Sequence, residues 1–220
     1  MQARYRTDYA GEFIVTNSTW IAGKKEQTRE WIANPIENQH ISGRAACIGS
    51  TFELGTFDYT RLQRHRGGLL GSKKLQTYGV GEVAQQMRLD FAVETNANKL
   101  KDILDTKYQE TNTVYTNPRN CLAYPGEFYL IPLNPHLLDI SQLLYLAAFD
   151  NHKEIFMLGY TSETPIDHPT WINEVRTVMD AYPGTLFYMI GEPTNMPDIW
   201  MQAANGRNLT YREFISYCDV

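Results

Sequence analysis

Short apolar segments alternate with amphipathic ones through the second half of the chain, and this alternation limits the fold more than any other feature. Residues 127–131, 154–158 and 185–190 are short and apolar, whereas 139–151 and 169–182 carry apolar residues at helical spacing. Strands joined by helices run parallel, because each helix returns the chain to the same end of the sheet. The pattern therefore predicts an α/β fold, a Rossmann-like and mostly parallel sheet with helices on both faces.

The first residues follow a different pattern. Residues 12–21 are rich in β-branched and aromatic residues, and after a turn 27–33 can return as their partner. We therefore expect an N-terminal β-hairpin within residues 1–40. No internal repeat or long linker follows, so a single domain over 1–220 is expected, with 41–220 as its core. Further short strands are predicted at 44–48, 88–93 and 113–116, and a last one at 208–214.

The composition disfavours several classes of protein. The chain of 220 residues has 20 Lys and Arg against 25 Asp and Glu, and this net charge of −5 argues against nucleic-acid binding by the whole surface. No apolar run is long enough to cross a membrane, and the amino terminus lacks the apolar stretch of a secretory signal. The cysteines Cys47, Cys121 and Cys218 have no metal-ligand spacing. We expect a cytoplasmic protein with no membrane partner.

Four loops after apolar strands carry small or hydroxylated residues. In an open parallel sheet ligands bind beyond the carboxyl ends of the strands, so these loops are the candidate site for a nucleotide-type ligand. The candidate ligand-binding residues are Gly49, Ser50, Thr51, Asn96, Gly159, Tyr160, Thr161 and Glu192. Among them, Glu192 is placed to bond ribose hydroxyls. The alternative is that these residues serve only turns and helix caps.

Residues 59–81 form one basic segment in an acidic protein, because they contain several Arg and Lys but no Asp or Glu. Arginine and lysine bind phosphate, and the nearby glycines would let a backbone approach it closely. The candidate phosphate-binding or DNA-binding residues are Arg61, Arg64, His65, Arg66, Lys73 and Lys74. The alternative is a solvated loop whose charge balances the acidic remainder.

Asp167 and His168 are the candidate catalytic base. They lie in a loop after a predicted strand, where a carboxylate can orient a neighbouring imidazole or replace it as the base. His136 lies in a similar loop, and each loop histidine can equally be a bystander. The chain has no GxGxxG, no P-loop and no GxSxG, which disfavours hydride transfer, P-loop hydrolysis and serine hydrolysis. No Asp-X-Asp-like pair, which could bind a metal ion, follows a strand, so no obligatory metal is expected. No cofactor is expected either.

The order of these motifs resembles the Rossmann-like core of bacterial sialyltransferase-type glycosyltransferases. The resemblance covers about residues 44–160 and rests on the loop after 44–48, on Asn96 after a strand, and on the segment Asn151-His-Lys-Glu-Ile-Phe-Met-Leu-Gly159. The positions that match are Gly49, Ser50, Asn96, Lys153 to Ile155 and Gly159. This chain lacks the second glycine and the proline of the family's first loop, and the family's Ser-Gly at a helix start is replaced near Asp139. The resemblance implies a nucleotide-sugar donor, but not a sialic-acid one.

The two ends of the chain, Tyr5-Arg-Thr-Asp-Tyr and Tyr211-Arg-Glu-Phe, look like small proteins of T-even-like bacteriophages. Such phages carry glycosyltransferases that attach glucose or arabinose to 5-hydroxymethylcytosine in their DNA. This second resemblance implies a UDP-linked donor, phage DNA as acceptor and the host cytoplasm as location, with Tyr78 or Tyr160 beside a flipped cytosine. It leaves the oligomeric state open. The alternatives are a non-catalytic phage protein that binds a nucleotide or a host defence protein, and a nucleotide-processing hydrolase or phosphotransferase.

Overall fold

A computed structural model describes residues 4–5, 12–33, 43–49, 57–58, 60–63, 75–133, 135–162, 164 and 170–218. The strands are β1 (Arg4–Tyr5), β2 (Glu12–Ile21), β3 (Lys24–Ala33), β4 (Arg44–Ile48), β5 (Gln76–Val80), β6 (Phe91–Val93), β7 (Thr113–Thr116), β8 (Tyr129–Leu130), β9 (Glu154–Leu158), β10 (Leu186–Ile190) and β11 (Gly206–Leu209). The helices are α1 (Thr60–Gln63), α2 (Gly81–Gln86), α3 (Ala97–Asp105), α4 (Tyr108–Thr111), α5 (Pro118–Ala123), α6 (Asp139–Phe149), α7 (Trp171–Ala181), α8 (Asp198–Met201) and α9 (Tyr211–Cys218).

The chain forms two compact units, each made of two segments. Residues 1–39 and 94–136 form the smaller unit, and residues 40–93 and 137–220 form the larger one. In the larger unit six strands lie side by side in the order β6-β5-β4-β9-β10-β11, and every neighbouring pair is parallel. The prediction of a Rossmann-like parallel sheet is confirmed, whereas the prediction of one domain over 1–220 stays a prediction.

Helices cover both faces of the larger unit's sheet. Successive side chains of a strand point to opposite faces, and side chains of the central strands contact a helix on each face. Cys47 of β4 points towards α6, and its thiol lies 3.7 Å from the Leu143 carbonyl oxygen. Phe156 of β9 points to the other face, where its ring packs on Phe214 of α9 with centroids 5.2 Å apart. Since α6 is buried from residue 140 to 148, its continuous apolar sequence is explained by contact on several sides.

The smaller unit contains a separate antiparallel hairpin and three short parallel strands. The hairpin pairs β2 with β3 over their whole length, which confirms the predicted N-terminal hairpin. The strands β1, β8 and β7 pair in that order. Asn120 joins the loop after β6 to the end of β7, because its side-chain amide donates to the Thr95 carbonyl oxygen at 2.8 Å and to the Thr116 hydroxyl at 2.9 Å.

Several of the predicted strands have other bounds in the structure, and the segment 127–131 forms a strand only at Tyr129–Leu130. The strand predicted at 208–214 is wrong in its second half, where α9 begins at Tyr211 after the short strand β11. Thr210 and Glu213 form a capping box there, and such a box starts a helix. The strand predicted at 88–93 begins only at Phe91. The sequence analysis also overlooked β5, which lies next to the centre of the sheet.

Candidate functional site

The order of strands in the larger unit reverses between β4 and β9. From β4 the chain continues to β5 and β6 on one side, and from β9 it continues to β10 and β11 on the other. The connections also leave towards opposite faces, since Phe57 after β4 stacks on Tyr211 of α9 while α7 after β9 packs on α6. In open parallel sheets the loops at such a reversal usually diverge, and ligands bind between them. We call Gly49, residues 159–162 and the first turn of α6 the switch-point crevice.

Gly49 and Tyr160 form the floor of this crevice. The Gly49 amide donates to the Leu158 carbonyl oxygen at 2.9 Å, which continues the pairing of β4 with β9. A Cβ at Gly49 would lie 2.6 Å from Ile140 Cδ1 and 2.8 Å from Tyr160 Cε2, so only glycine fits. Tyr160 is fully buried, and its hydroxyl donates to the Ile140 carbonyl oxygen at 2.8 Å. Burial raises the pKa of this hydroxyl well above its ordinary value, so it stays protonated.

The rest of the loop after β9 is held by its own hydrogen bonds. Gly159 has a φ of 71°, and its carbonyl oxygen accepts from the Thr164 hydroxyl at 3.1 Å. The Thr161 amide donates to the same hydroxyl oxygen at 2.9 Å. The Ser162 amide donates at 2.8 Å to the Asn195 carbonyl oxygen, in the loop after β10. The loop is therefore a rigid wall, and Thr161 helps to shape it from a buried position.

The amino end of α6 faces the crevice, because Ile140 in its first turn contacts both Gly49 and Tyr160. The helix has Leu138 in its N-cap position and no side-chain cap. The first amides of a helix have no partner within it and carry a partial positive charge, which attracts anions. Ser141 Oγ and Gln142 Oε1 are buried and lack a hydrogen-bond partner among the described residues. The Leu138 amide already donates to Glu174 Oε2 at 2.9 Å, and Asp139 lies in the first turn. A phosphate at this end of α6 would therefore compete with carboxylates.

Glu192 lies at the carboxyl end of β10, one strand from the reversal, and is exposed. The residue before it, Gly191, has a φ of 146°. Its carbonyl oxygen accepts from the side-chain amide of Asn208 at 3.1 Å. A short 3-10 turn, Pro193–Asn195, follows, and the Asn195 amide donates to the Glu192 carbonyl oxygen at 3.0 Å. The backbone is thus fixed while the carboxylate of Glu192 stays accessible.

The structure brings together only part of the predicted site. Gly49, Gly159, Tyr160 and Thr161 meet at the switch-point crevice. Asn96 lies in the smaller unit and caps α3, where its side chain accepts from the Asn98 amide at 2.9 Å and the Lys99 amide at 3.4 Å. Arg61 lies in α1 and is half-buried. The remaining predicted residues lie outside the described residues: Ser50, Thr51, Arg64, His65, Arg66, Lys73, Lys74, Asp167 and His168.

Tyr78, one of the two tyrosines proposed to lie beside a flipped base, belongs to a buried polar group. Its hydroxyl donates to Asp150 Oδ2 at 2.7 Å and lies 2.9 Å from His152 Nε2. All three residues are buried, and Asp150 and His152 follow the end of α6. The group joins the sheet to α6. His152 lies three residues after the end of α6.

One motif escaped the sequence analysis. Gly79-Val-Gly-Glu-Val-Ala84 is the alanine-ended form of the dinucleotide fingerprint, and it spans the turn from β5 into α2. The motif could have been found by allowing alanine at its last position. Gly79 lies inside the strand, where a Cβ would be 2.5 Å from Leu89 Cδ1. This glycine is therefore explained by packing, and α2 has only 6 residues with which to attract a phosphate.

The smaller unit has a polar cleft of about 340 Å³ beside Gln109, Asn112, Glu127 and Tyr129. The Gln109 side-chain amide donates to Glu127 Oε2 at 3.1 Å across it. The cleft lies where β7 and β8 begin, whereas parallel sheets bind ligands where strands end. Its position therefore makes it a weaker candidate than the switch-point crevice.

The described part of the chain contains neither a group of metal ligands nor a membrane-spanning helix. No three His, Cys, Asp or Glu side chains lie close enough there to hold a metal ion. No helix in that part is both long and apolar enough to cross a membrane.

Comparison with known proteins gave no relative. No family model matches the sequence, and neither a curated protein nor a solved structure matches the chain. The two resemblances described above therefore stay predictions.

Proposed function

We propose that this chain binds a nucleotide-sugar in the switch-point crevice and transfers its sugar to an acceptor. The observation that supports the proposal is the reversal of strand order between β4 and β9, with a glycine at the end of each strand. A glycine lets the backbone approach a ligand closely, and ligands of open parallel sheets bind where the strand order reverses.

The donor's diphosphate would lie at the amino end of α6. Backbone amides there carry the partial positive charge that a phosphate needs, and the same charge would stabilise the diphosphate as it leaves. The exposed carboxylate of Glu192 would accept hydrogen bonds from the ribose hydroxyls. Gly49 and Tyr160 would lie beneath the ligand without bonding to it. They pack against each other, and the Tyr160 hydroxyl already donates to the Ile140 carbonyl oxygen.

Transfer to an acceptor hydroxyl also needs a base near that hydroxyl. Asp167 and His168 lie in sequence between β9, whose end forms part of the crevice, and α7. We propose 5-hydroxymethylcytosine in phage DNA as the acceptor, glucose or arabinose as the sugar and UDP as the carrier. The basic residues Arg66, Lys73 and Lys74 would face the phosphates.

A second candidate is a protein that holds the nucleotide without turning it over, or that uses the same surface to bind a host defence protein. The hydrogen bonds of the crevice favour it, because Tyr160 and Thr161 direct their hydroxyls into the protein rather than towards a ligand. Tight binding without product, unaffected by Asp167→Asn and His168→Gln, would select this candidate.

The first experiment is a thermal-shift screen with UDP, GDP, CDP and CMP. A ligand that binds only the folded state raises the melting temperature with its saturation, so one nucleotide should stabilise the protein selectively. Glu192→Gln should weaken that shift, whereas the matched control Asp102→Asn, at an exposed position of α3, should leave it unchanged. If no nucleotide raises the melting temperature, the proposal is wrong.

Transfer is measured separately. The protein, the stabilising nucleotide's sugar conjugates and hydroxymethylated DNA are incubated, and the nucleosides are then analysed by mass spectrometry. A glycosylated hydroxymethylcytosine that disappears with Asp167→Asn or His168→Gln would support the proposed base. Binding without this product would favour the second candidate.

A further inference from the structure

The tip of the hairpin exposes two large apolar side chains. Trp20 is 73% exposed and Ile21 is 54% exposed, and the other described side chains from residue 22 to 26 are exposed as well. Removing an aromatic side chain of this size from water lowers the free energy, so an exposed tryptophan is unfavourable unless it binds a partner. A tryptophan exposed to this extent therefore indicates a contact surface.

Positive charge lies next to the tryptophan. In the register of the hairpin Trp20 pairs with Lys25, and Ile21 pairs with Lys24. Directly opposite residues of an antiparallel pair share a face, with Cβ atoms about 4.5–5.5 Å apart. Glu26 pairs with Thr19 and so projects from the face that carries Ile21. The face of the tip that bears Trp20 therefore combines an aromatic ring with a cation, and Glu26 is not on it.

The tip is also narrow. Ala22 and Gly23 form a two-residue turn in which both residues have positive φ, 51° and 78°. Such a turn follows the twist of its strands and keeps them paired up to the end. Among the described residues nothing lies within 4 Å of the position where a Cβ would be on Gly23. The end of the ribbon is therefore open to an approaching strand.

We propose that the hairpin tip is a DNA-contacting surface, on which Trp20 stacks against an unpaired base while Lys25, on the same face, binds a backbone phosphate. Every base has a flat π face and every nucleotide a negative phosphate, so an aromatic ring beside a lysine fits a nucleic-acid strand. A lipid surface needs a wider apolar area than Trp20 and Ile21 provide. The inference rests on the proposed function for the identity of the DNA as acceptor, and it adds how that DNA is held.

The test uses the whole protein and a labelled DNA strand, followed by fluorescence anisotropy at several salt concentrations. Trp20→Ala should weaken binding about tenfold or more, and Trp20→Phe should retain most of it. Lys25→Gln should reduce the slope of log affinity against log salt by roughly 0.7 for a single strand, and Lys24→Gln, on the opposite face, should change it less. The matched controls, Leu122→Ala and Lys101→Gln, remove an exposed leucine and an exposed cation elsewhere in the smaller unit.

Several outcomes would overturn the inference: no DNA binding by the unaltered protein at low salt, equal losses in the tip variants and their controls, or tip-dependent binding to anionic phospholipid vesicles without binding to DNA. Fully paired duplex should bind more weakly than a single strand or a mismatched duplex, because stacking needs an unpaired base. The thermal shift with nucleotides is recorded on the same samples. A missing shift together with tip-dependent DNA binding would contradict the nucleotide-sugar proposal alone.

Discussion

Gly49 and Tyr160 approach each other so closely that a Cβ on Gly49 would lie 2.8 Å from Tyr160 Cε2. Gly49 follows β4 and Tyr160 follows β9, so this contact joins the two strands between which the strand order reverses. The backbone at the base of the switch-point crevice is thereby fixed. A ligand would meet a preformed floor, which reduces the conformational freedom lost on binding.

Gly49→Ala should destabilise the protein by about 1–3 kcal/mol, because the added methyl overlaps Ile140 and Tyr160 in a packed core. Denaturant unfolding measures the loss, and nucleotide-induced stabilisation should fall with it. Gly184→Ala is the matched control, since nothing lies within 4 Å of the added carbon there. Equal stability of the two variants would show that the contact is not as close as described.

The start of α9 should make stability depend on pH. Glu213 Oε2 accepts from the Thr210 amide and the Thr210 hydroxyl, both at 2.8 Å, and the amide bond chiefly lowers the pKa of the carboxyl below its ordinary value of 4.5. A lowered pKa in the folded state stabilises the protein above the unfolded pKa. This stabilisation is lost as the pH falls through the folded pKa.

Glu213→Gln should therefore lower the melting temperature at neutral pH, and the difference from the unaltered protein should vanish in acid. Melting curves recorded between neutral pH and a pH well below 4.5 test this. Asp102→Asn serves as the control for loss of one exposed carboxylate. A difference that stays constant over the whole pH range would contradict the role of the Glu213 carboxylate.

The sequence predicted the strongly apolar strands of the larger unit with nearly the right bounds and overlooked β5, which begins with polar residues. Residues 154–158 and 44–48 form strands with the predicted bounds. The missed strand, β5, begins with Gln76 and Thr77, which are buried. Thr77 is satisfied by Asp90, whose carboxylate accepts from the Thr77 amide at 2.8 Å and from its hydroxyl at 3.0 Å. Hydrophobic periodicity cannot detect a strand whose burial depends on such a partner.

The sequence located the crevice but not the orientation of its side chains. The rule that ligands bind at the carboxyl ends of strands selected Gly49 and Gly159, and the strand reversal lies between them. The same rule selected Asn96, whose side chain instead caps α3. A small polar residue after a strand serves equally well in a cap, a turn or a binding site. Only the contacts of its side chain distinguish these roles.

Tyr78→Phe should destabilise the protein by about 1–3 kcal/mol, because Asp150 and His152 both lose a buried hydroxyl partner. Tyr124→Phe is the matched control, since Tyr124 is only half-buried and packs its ring on Phe128. Chemical denaturation of both variants gives the comparison. Losses of the same size would mean that the hydroxyl of Tyr78 contributes nothing specific.

Ala22→Asn should stabilise the hairpin tip. Ala22 has a φ of 51°, a left-handed conformation that costs an ordinary side chain roughly 1–2 kcal/mol and that asparagine tolerates better. Asparagine before Gly23 is also a preferred pair for a two-residue hairpin turn with positive φ at both positions. Hydrogen exchange at the amides of β2 and β3 should slow in this variant and quicken in Ala22→Val, because a β-branched residue fits the left-handed region worst. Unchanged hydrogen exchange in both variants would contradict the turn geometry. If Trp20 contacts DNA, the stiffer tip of Ala22→Asn should also bind the labelled strand slightly more tightly.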